Sequence, residues 1–279
     1  MTRHEAPFHQ RLRQAWSQQQ SLLCVGLDPE LAKLPDSVRG QRQPLLAFTR
    51  AIVDATAPYV CAFKPQAAHF AAQAAEDQLA ELIAYIQQQY PHIPVILDAK
   101  RGDVGSTATL YAVEAFERYN ADAVTVNPYL GYDSLAPYFD YTDRGVVVLC
   151  RTSNPSSDWL QQVRTLEEPL YLEVARKVAQ WDKHQQCMLV TGATYPDELS
   201  QVRQAVGDMP LLVPGVGAQG GDVNAVLNAG CDQHGNGLVI SSSRGIIYAG
   251  SGEDFATSAA LEAERISKQI NTIRQLTVG

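Results

Sequence analysis

Eight short apolar runs, each ending in polar or glycine residues, recur along the chain at 22–28, 59–64, 95–100, 123–127, 146–152, 188–191, 211–215 and 238–242. Between them lie stretches of helical periodicity, clearest at 44–57, 67–90, 107–119, 169–183, 196–206, 221–229 and 255–275, with a weaker one at 131–142. Runs of Val, Ile and Leu without polar alternation are the pattern of parallel strands covered on both faces. Eight of them alternating with helices over about 250 residues fit a (β/α)8 TIM barrel. The competing fold, a doubly wound open sheet, usually carries G-x-G-x-x-G after its first strand. Here that turn reads Val25-Gly26-Leu27-Asp28-Pro29, so the barrel is the expected fold. Residues 1–20 would add an N-terminal helix closing the bottom of the barrel. No composition shift or low-complexity run marks a linker, which leaves one barrel domain over 1–279.

Composition narrows the partners. Apolar residues make up 46% of the chain, enough for a full core. No run approaches the ~20 apolar residues of a membrane span, and residues 1–20 lack the apolar centre of a signal peptide. A net charge of −8 argues against nucleic acid and requires a locally positive pocket for any anionic substrate. The five cysteines (24, 61, 150, 187, 231) form no C-x-x-C pair, and four lie in apolar runs. That usage points to a reducing cytoplasm, with no zinc site and no disulfide framework.

Function concentrates at the strand ends, where barrels of this kind keep their active sites. The third run, Val95-Ile96-Leu97, ends in Asp98, Lys100 and Asp103. Alternation along a strand sends Asp98 and Lys100 to the same side of a buried sheet, where charges are costly unless paired or used. A structural salt bridge is one reading; a catalytic acid–base group at the barrel mouth is the other. Lys64 ends the second run and Asp28 the first, so positive and negative groups alternate around one side of the mouth and can each stay ionised there. Lys100 would be pinned between carboxylates. Asn127, Arg151, Thr152, Ser153, Thr191 and Thr194 end the fourth to sixth runs. The last two differ: Pro214-Gly215-Val216-Gly217-Ala218-Gln219-Gly220-Gly221 is glycine-rich, and Ser242-Ser243-Arg244-Gly245 offers an arginine fork. Loops after strands seven and eight are the usual phosphate site of this fold, which suggests a phosphorylated small molecule.

Asp98-x-Lys100-x-x-Asp103, preceded by Phe63-Lys64-Pro65, resembles the signature of the orotidine 5′-monophosphate decarboxylase family. The likeness extends to Val25–Pro29, Asn127-Pro128-Tyr129, Arg151-Thr152-Ser153-Asn154-Pro155, Pro214-Gly215-Val216 and Ser243-Arg244-Gly245, and is greatest to the longer bacterial subfamily. The resemblance implies conversion of orotidine 5′-monophosphate to uridine 5′-monophosphate, the last step of UMP biosynthesis, with no metal and no organic cofactor. It implies that Lys100 protonates C6 while Asp98 crowds the departing carboxylate. Asp28 and Lys64 would hold the ribose, Lys64 also tying the charges together. Asp103 and Thr107 would cross a homodimer interface to the neighbouring site. Ser153 would meet the pyrimidine amide, Arg244 with Gln219 the phosphate, and Asn127 joins the substrate-binding set.

The main rival is a metal-dependent sugar-phosphate lyase or decarboxylase on the same barrel. Such an enzyme places an extra carboxylate at the first or second strand end, where this chain has Lys64. A barrel that binds a nucleotide without turning it over is the second rival. Arg101 should face away from the lumen into a helix-side salt bridge. His69, His92, His184 and His234 lack metal-ligand spacing.

Overall fold

The computed structural model describes residues 6–165, 168–216 and 221–278. All eight expected strands form: β1 (Leu23–Leu27), β2 (Ala62–Pro65), β3 (Ile96–Arg101), β4 (Ala123–Val126), β5 (Gly145–Arg151), β6 (Cys187–Thr191), β7 (Leu211–Pro214) and β8 (Leu238–Ser242). They pair in parallel in the order β2-β1-β8-β7-β6-β5-β4-β3. Between β2 and β3 the ring is completed only by single parallel bridges, Phe63 to Val95 and Gln66 to Asp98. Most strand residues are buried, as the unbroken apolar runs require, because the lumen packs one face and the outer helices the other.

The helix Phe8–Gln19 lies across the N-terminal end of the barrel. Phe8, Leu12, Ala15 and Trp16 are its buried stripe. Its polar anchors all sit where strands begin: Arg11 donates to Asp122 and to the Asp143 carbonyl, and the His9 amide to the Gln185 carbonyl. Gly145 opens β5 directly beneath it. A Cβ there would sit 2.6 Å from the Ala123 side chain and 2.7 Å from the Phe8 ring, so only glycine admits the helix this close.

Two helical segments differ from the expected spans. The stretch 67–90 divides into Ala67–Ala71 and Glu76–Gln89. Between them Ala74 is left-handed (φ 50°), with its amide bonded to the Ala71 carbonyl and that of Ala75 to the Phe70 carbonyl. This pair of bonds is a Schellman ending, normally signalled by glycine. The second segment starts at Gly105 and passes at Val113 into a π-helical turn, Glu114–Arg118, closed by the Tyr119 amide on the Glu114 carbonyl. Residues 131–142 supply only the short turns Tyr132–Ser134 and Ala136–Phe139.

Candidate functional site

Lys64 near the end of β2 and Asp98 in β3 are 6% and 5% exposed, and they meet across the gap between those strands. The Lys64 ammonium donates to Asp98 Oδ2 at 2.7 Å, and Lys100 Nζ donates to Asp98 Oδ1 at 2.6 Å. Burial alone would push the Asp98 carboxyl up, but Lys64 and Lys100 outweigh it and hold the group well below the usual carboxylate range. Burial would likewise discharge Lys64, yet the Asp98 and Asp28 carboxylates raise it instead. Asp98 is therefore an anion and Lys64 a cation at any physiological pH. Lys100 keeps 47% of its side chain open, so its ammonium has a paired face and a free one.

Strand β3 is not regular where it carries these groups. Its register against β4 slips between Leu97 and Arg101, and Lys100 has φ 49°. The amides of Ala99 and Lys100 both donate to Thr125 Oγ1 from β4, each at 2.9 Å. That hydroxyl in turn donates to Asp98 Oδ1 at 2.9 Å. Arg101 turns outward, as expected, into a two-pronged pair with Glu114 and over the Tyr111 ring.

A cavity of about 370 Å³ opens beside the charged wall of Lys64, Asp98 and Lys100. Its floor is apolar (Leu149, Val190, Leu212), and its rim carries Thr152, Ser153, Asn154 and Gln161. Ser153 is seated by an absence: a Cβ on Gly192 would fall 2.8–2.9 Å from the Ser153 backbone and Cβ. The loop it belongs to grows from Arg151, which is fully buried. Arg151 donates to Ser157 Oγ and to Asp158 Oδ1, each at 2.6 Å, and stacks 3.8 Å from the Tyr195 ring centre. Gln161 completes the loop by accepting the Thr152 amide and donating to its hydroxyl. Arg151 thus faces the loop rather than the cavity.

Asp28 follows β1, and one of its oxygens accepts the Ser243 hydroxyl at 2.7 Å. Its other oxygen, Oδ1, is buried and has no hydrogen-bond partner among the described residues. Tyr248 donates to the Asp28 carbonyl and accepts the Glu30 amide, so the segment after β8 grips the segment after β1 at two points. Arg244 stands exposed between them at the start of a helical turn, Arg244–Ile247. Gln219 lies outside the described residues. The loop that holds it has its ends drawn together by the Gly221 amide on the Gly215 carbonyl, and Gly215 adopts φ 98°.

Of the expected site residues, Asp28 and Arg244 do not line this cavity, and three more turn elsewhere. Asp103 accepts the neighbouring Val104 amide, Thr107 is exposed on the following helix, and the Asn127 side chain caps its own turn through the Tyr129 amide. The ammonium of Lys100 is accordingly pinned within its own chain by one carboxylate, Asp98, and not between two. Among the described residues no group of three or more His, Cys, Asp or Glu side chains could hold a metal ion.

Residues 21–258 match the sequence profile described as "Orotidine 5'-phosphate decarboxylase / HUMPS family". The chain is 56% identical over 270 residues to the orotidine 5′-phosphate decarboxylase of Cellvibrio japonicus, covering 96% of this chain and 99% of the relative. It is equally similar, at 56% over 270 residues with the same coverage, to that of Bordetella avium. In structure it resembles the OMP decarboxylase of Leishmania donovani with a TM-score of 0.83 at 36% identity, over 96% of this chain and 99% of the other. The eight-stranded barrel, the lysine–aspartate array at its mouth and these likenesses along nearly the whole length agree: the chain belongs to the orotidine 5′-phosphate decarboxylase family.

Proposed function

We propose that this protein decarboxylates orotidine 5′-monophosphate to uridine 5′-monophosphate with its own side chains alone. The observation that carries this reading is the Lys64–Asp98–Lys100 array, which presents one free ammonium face to a cavity of about 370 Å³. The C6–carboxylate bond breaks and its electron pair stays at C6, where the ring cannot readily delocalise it. A fixed cation beside that carbon stabilises the developing charge without reorganising, and Lys100 then transfers a proton to C6. Asp98, kept ionised by two lysines, repels a carboxylate placed in the same corner. The unpartnered Asp28 oxygen takes a ribose hydroxyl together with Lys64. Ser153 reads the pyrimidine amide at the rim. Arg244 and Gln219 hold the phosphate, whose distant binding energy drives the ring into the charged corner.

Asp103 and Thr107 serve the site of a second copy in this reading. Support comes from their surroundings: Val104, Leu110, Tyr129, Leu130 and Tyr132 are 52%, 66%, 75%, 46% and 44% exposed on neighbouring turns. Large apolar side chains clustered beside outward-facing polar groups suit a two-fold interface. The five unpaired cysteines suit a reducing cytoplasm, where we place the reaction. No helix among the described residues is long and apolar enough to cross a membrane.

The test is the ultraviolet absorbance of the orotate ring, followed with protein treated exhaustively with EDTA. Loss of the orotate signal is the expected result. Activity abolished by EDTA and restored by Mg²⁺ would instead favour the sugar-phosphate rival, and binding without spectral change would mean a non-catalytic barrel.

A further inference from the structure

We propose that Thr125 is a positioning residue for this reaction, fixing both the backbone of Lys100 and the carboxylate of Asp98 through one hydroxyl. The inference rests on the decarboxylation reading and adds a residue to it. A hydroxyl has two acceptor lone pairs and one proton. Thr125 Oγ1 accepts the Ala99 and Lys100 amides, which have left the β3–β4 ladder at the slip in register. Both lone pairs are then occupied, so the proton has one destination, Asp98 Oδ1. That same oxygen receives the Lys100 ammonium. A closed circuit results: Thr125 holds the Lys100 main chain, the Asp98 carboxylate, and through that carboxylate the far end of the Lys100 side chain.

The circuit has something to restrain. Lys100 is left-handed (φ 49°), a conformation that a long side chain keeps only when its surroundings impose it. Thr125 is 1% exposed on a strand packed on both sides, so its hydroxyl is a rigid anchor. Without it two partly buried amides lose their acceptor, and the turn is free to relax toward a commoner conformation. The Asp98 carboxylate also becomes free to rotate about its last torsion. Each change moves the Lys100 ammonium away from the point where the proton is needed, while the phosphate and ribose contacts are untouched. Small displacements of a reacting group cost rate far more than affinity.

Thr125→Val keeps the shape and removes only the hydroxyl; Thr125→Ser keeps the hydroxyl and removes a methyl. For each variant, turnover of orotidine 5′-monophosphate is measured beside the Kd of the product nucleotide and the thermal midpoint. Thr125→Val is expected to lower kcat by about tenfold or more with product Kd within about twofold. Thr125→Ser should recover kcat to within about threefold of the unaltered protein. A Thr125→Val protein with unchanged kcat would overturn the proposal. So would equal losses in both variants, because Thr125→Ser keeps the hydroxyl and should be spared if the hydroxyl is what matters. A parallel loss of kcat and product affinity, with a lowered midpoint, would overturn it too by showing a general structural role. If the unaltered protein shows no turnover at all, the decarboxylase reading falls and takes this one with it, whereas the other failures leave that reading standing.

Discussion

Each oxygen of the Asp98 carboxylate has an ammonium partner, and one of them also accepts a hydroxyl, so charge at this residue bears on stability and, in the proposed mechanism, on chemistry. The Asp98 pKa lies below its unfolded value, near about 3.9. Its contribution to stability is therefore complete above that value and fades as pH falls toward the folded pKa. Lys64 is shifted the other way, above an unfolded value near about 10.4, so its contribution is complete below that pH and fades in strong alkali. Asp98→Ala leaves a buried lysine short of its partner, and a loss of about 3–5 kcal/mol at neutral pH is expected by chemical denaturation. The gap from the unaltered protein should narrow below about pH 4; a gap that stays constant into acid would show that the ionised pair is not its source. Lys100→Ala should reduce kcat by on the order of 10³-fold or more while product affinity is kept, because the ammonium acts as the bond breaks. Wild-type kcat in that variant would remove Lys100 from its role. Asp98, Lys100 and Lys64 were legible in the sequence because charges closing an apolar run need a reason. Thr125 was not: a threonine within Ala-Val-Thr-Val looks like an ordinary β-branched strand residue, and its task exists only once β3 slips against β4. Arg151 shows the opposite case, a visible strand-end cation that the fold turns away from the cavity to build a loop.

Among the elements, the helix break at Ala74 was hidden for a related reason. The motif needs a left-handed residue, and the chain supplies alanine where glycine would have announced the ending. Left-handed alanine costs about 1–2 kcal/mol, partly offset by the greater unfolded-state freedom of glycine, about 0.5–1 kcal/mol. Ala74→Gly at this exposed position is thus expected to stabilise the protein by about 0.5 kcal/mol, read as a rise in denaturation midpoint with unchanged m-value. A fall in midpoint would mean that the turn is not strained. Gly192 sets a harder limit at the end of β6. A methyl group there meets Ser153 backbone atoms at 2.9 Å, and backbone gives way poorly. Gly192→Ala should displace the rim loop and raise KM by about tenfold or more, with the thermal midpoint changed much less. Equal KM values would show that Ser153 does not touch the substrate. The interior of the loop after β7, including Gln219, lies outside the described residues, so its part in phosphate binding stays with the proposal.

At the scale of the whole molecule, the barrel was readable because its repeat is written eight times, and the N-terminal helix as the segment left before the first strand once the barrel is assigned. Asp103 belongs to this scale, because its proposed task is in a second copy of the chain. If it serves a partner's site, Lys100→Ala and Asp103→Ala should complement each other. Mixed under subunit exchange, they form heterodimers with one doubly damaged and one intact site. Activity should climb toward about one quarter of the unaltered level for random pairing. Heterodimers present without recovery would return Asp103 to its own chain.

The gap in the ring between β2 and β3, completed by two single bridges, is also the place where Lys64 grips Asp98. The barrel is in effect a hoop with one weakly paired seam, and the proposed catalytic pair lies across it. In the proposed mechanism, discharging or replacing that carboxylate is expected both to stop the chemistry and to loosen the seam. Amide protons along β2, Phe63 above all, should then exchange with solvent sooner than those of the opposite wall. In that case the same carboxylate would set both when the protein loses activity and where its wall first admits solvent.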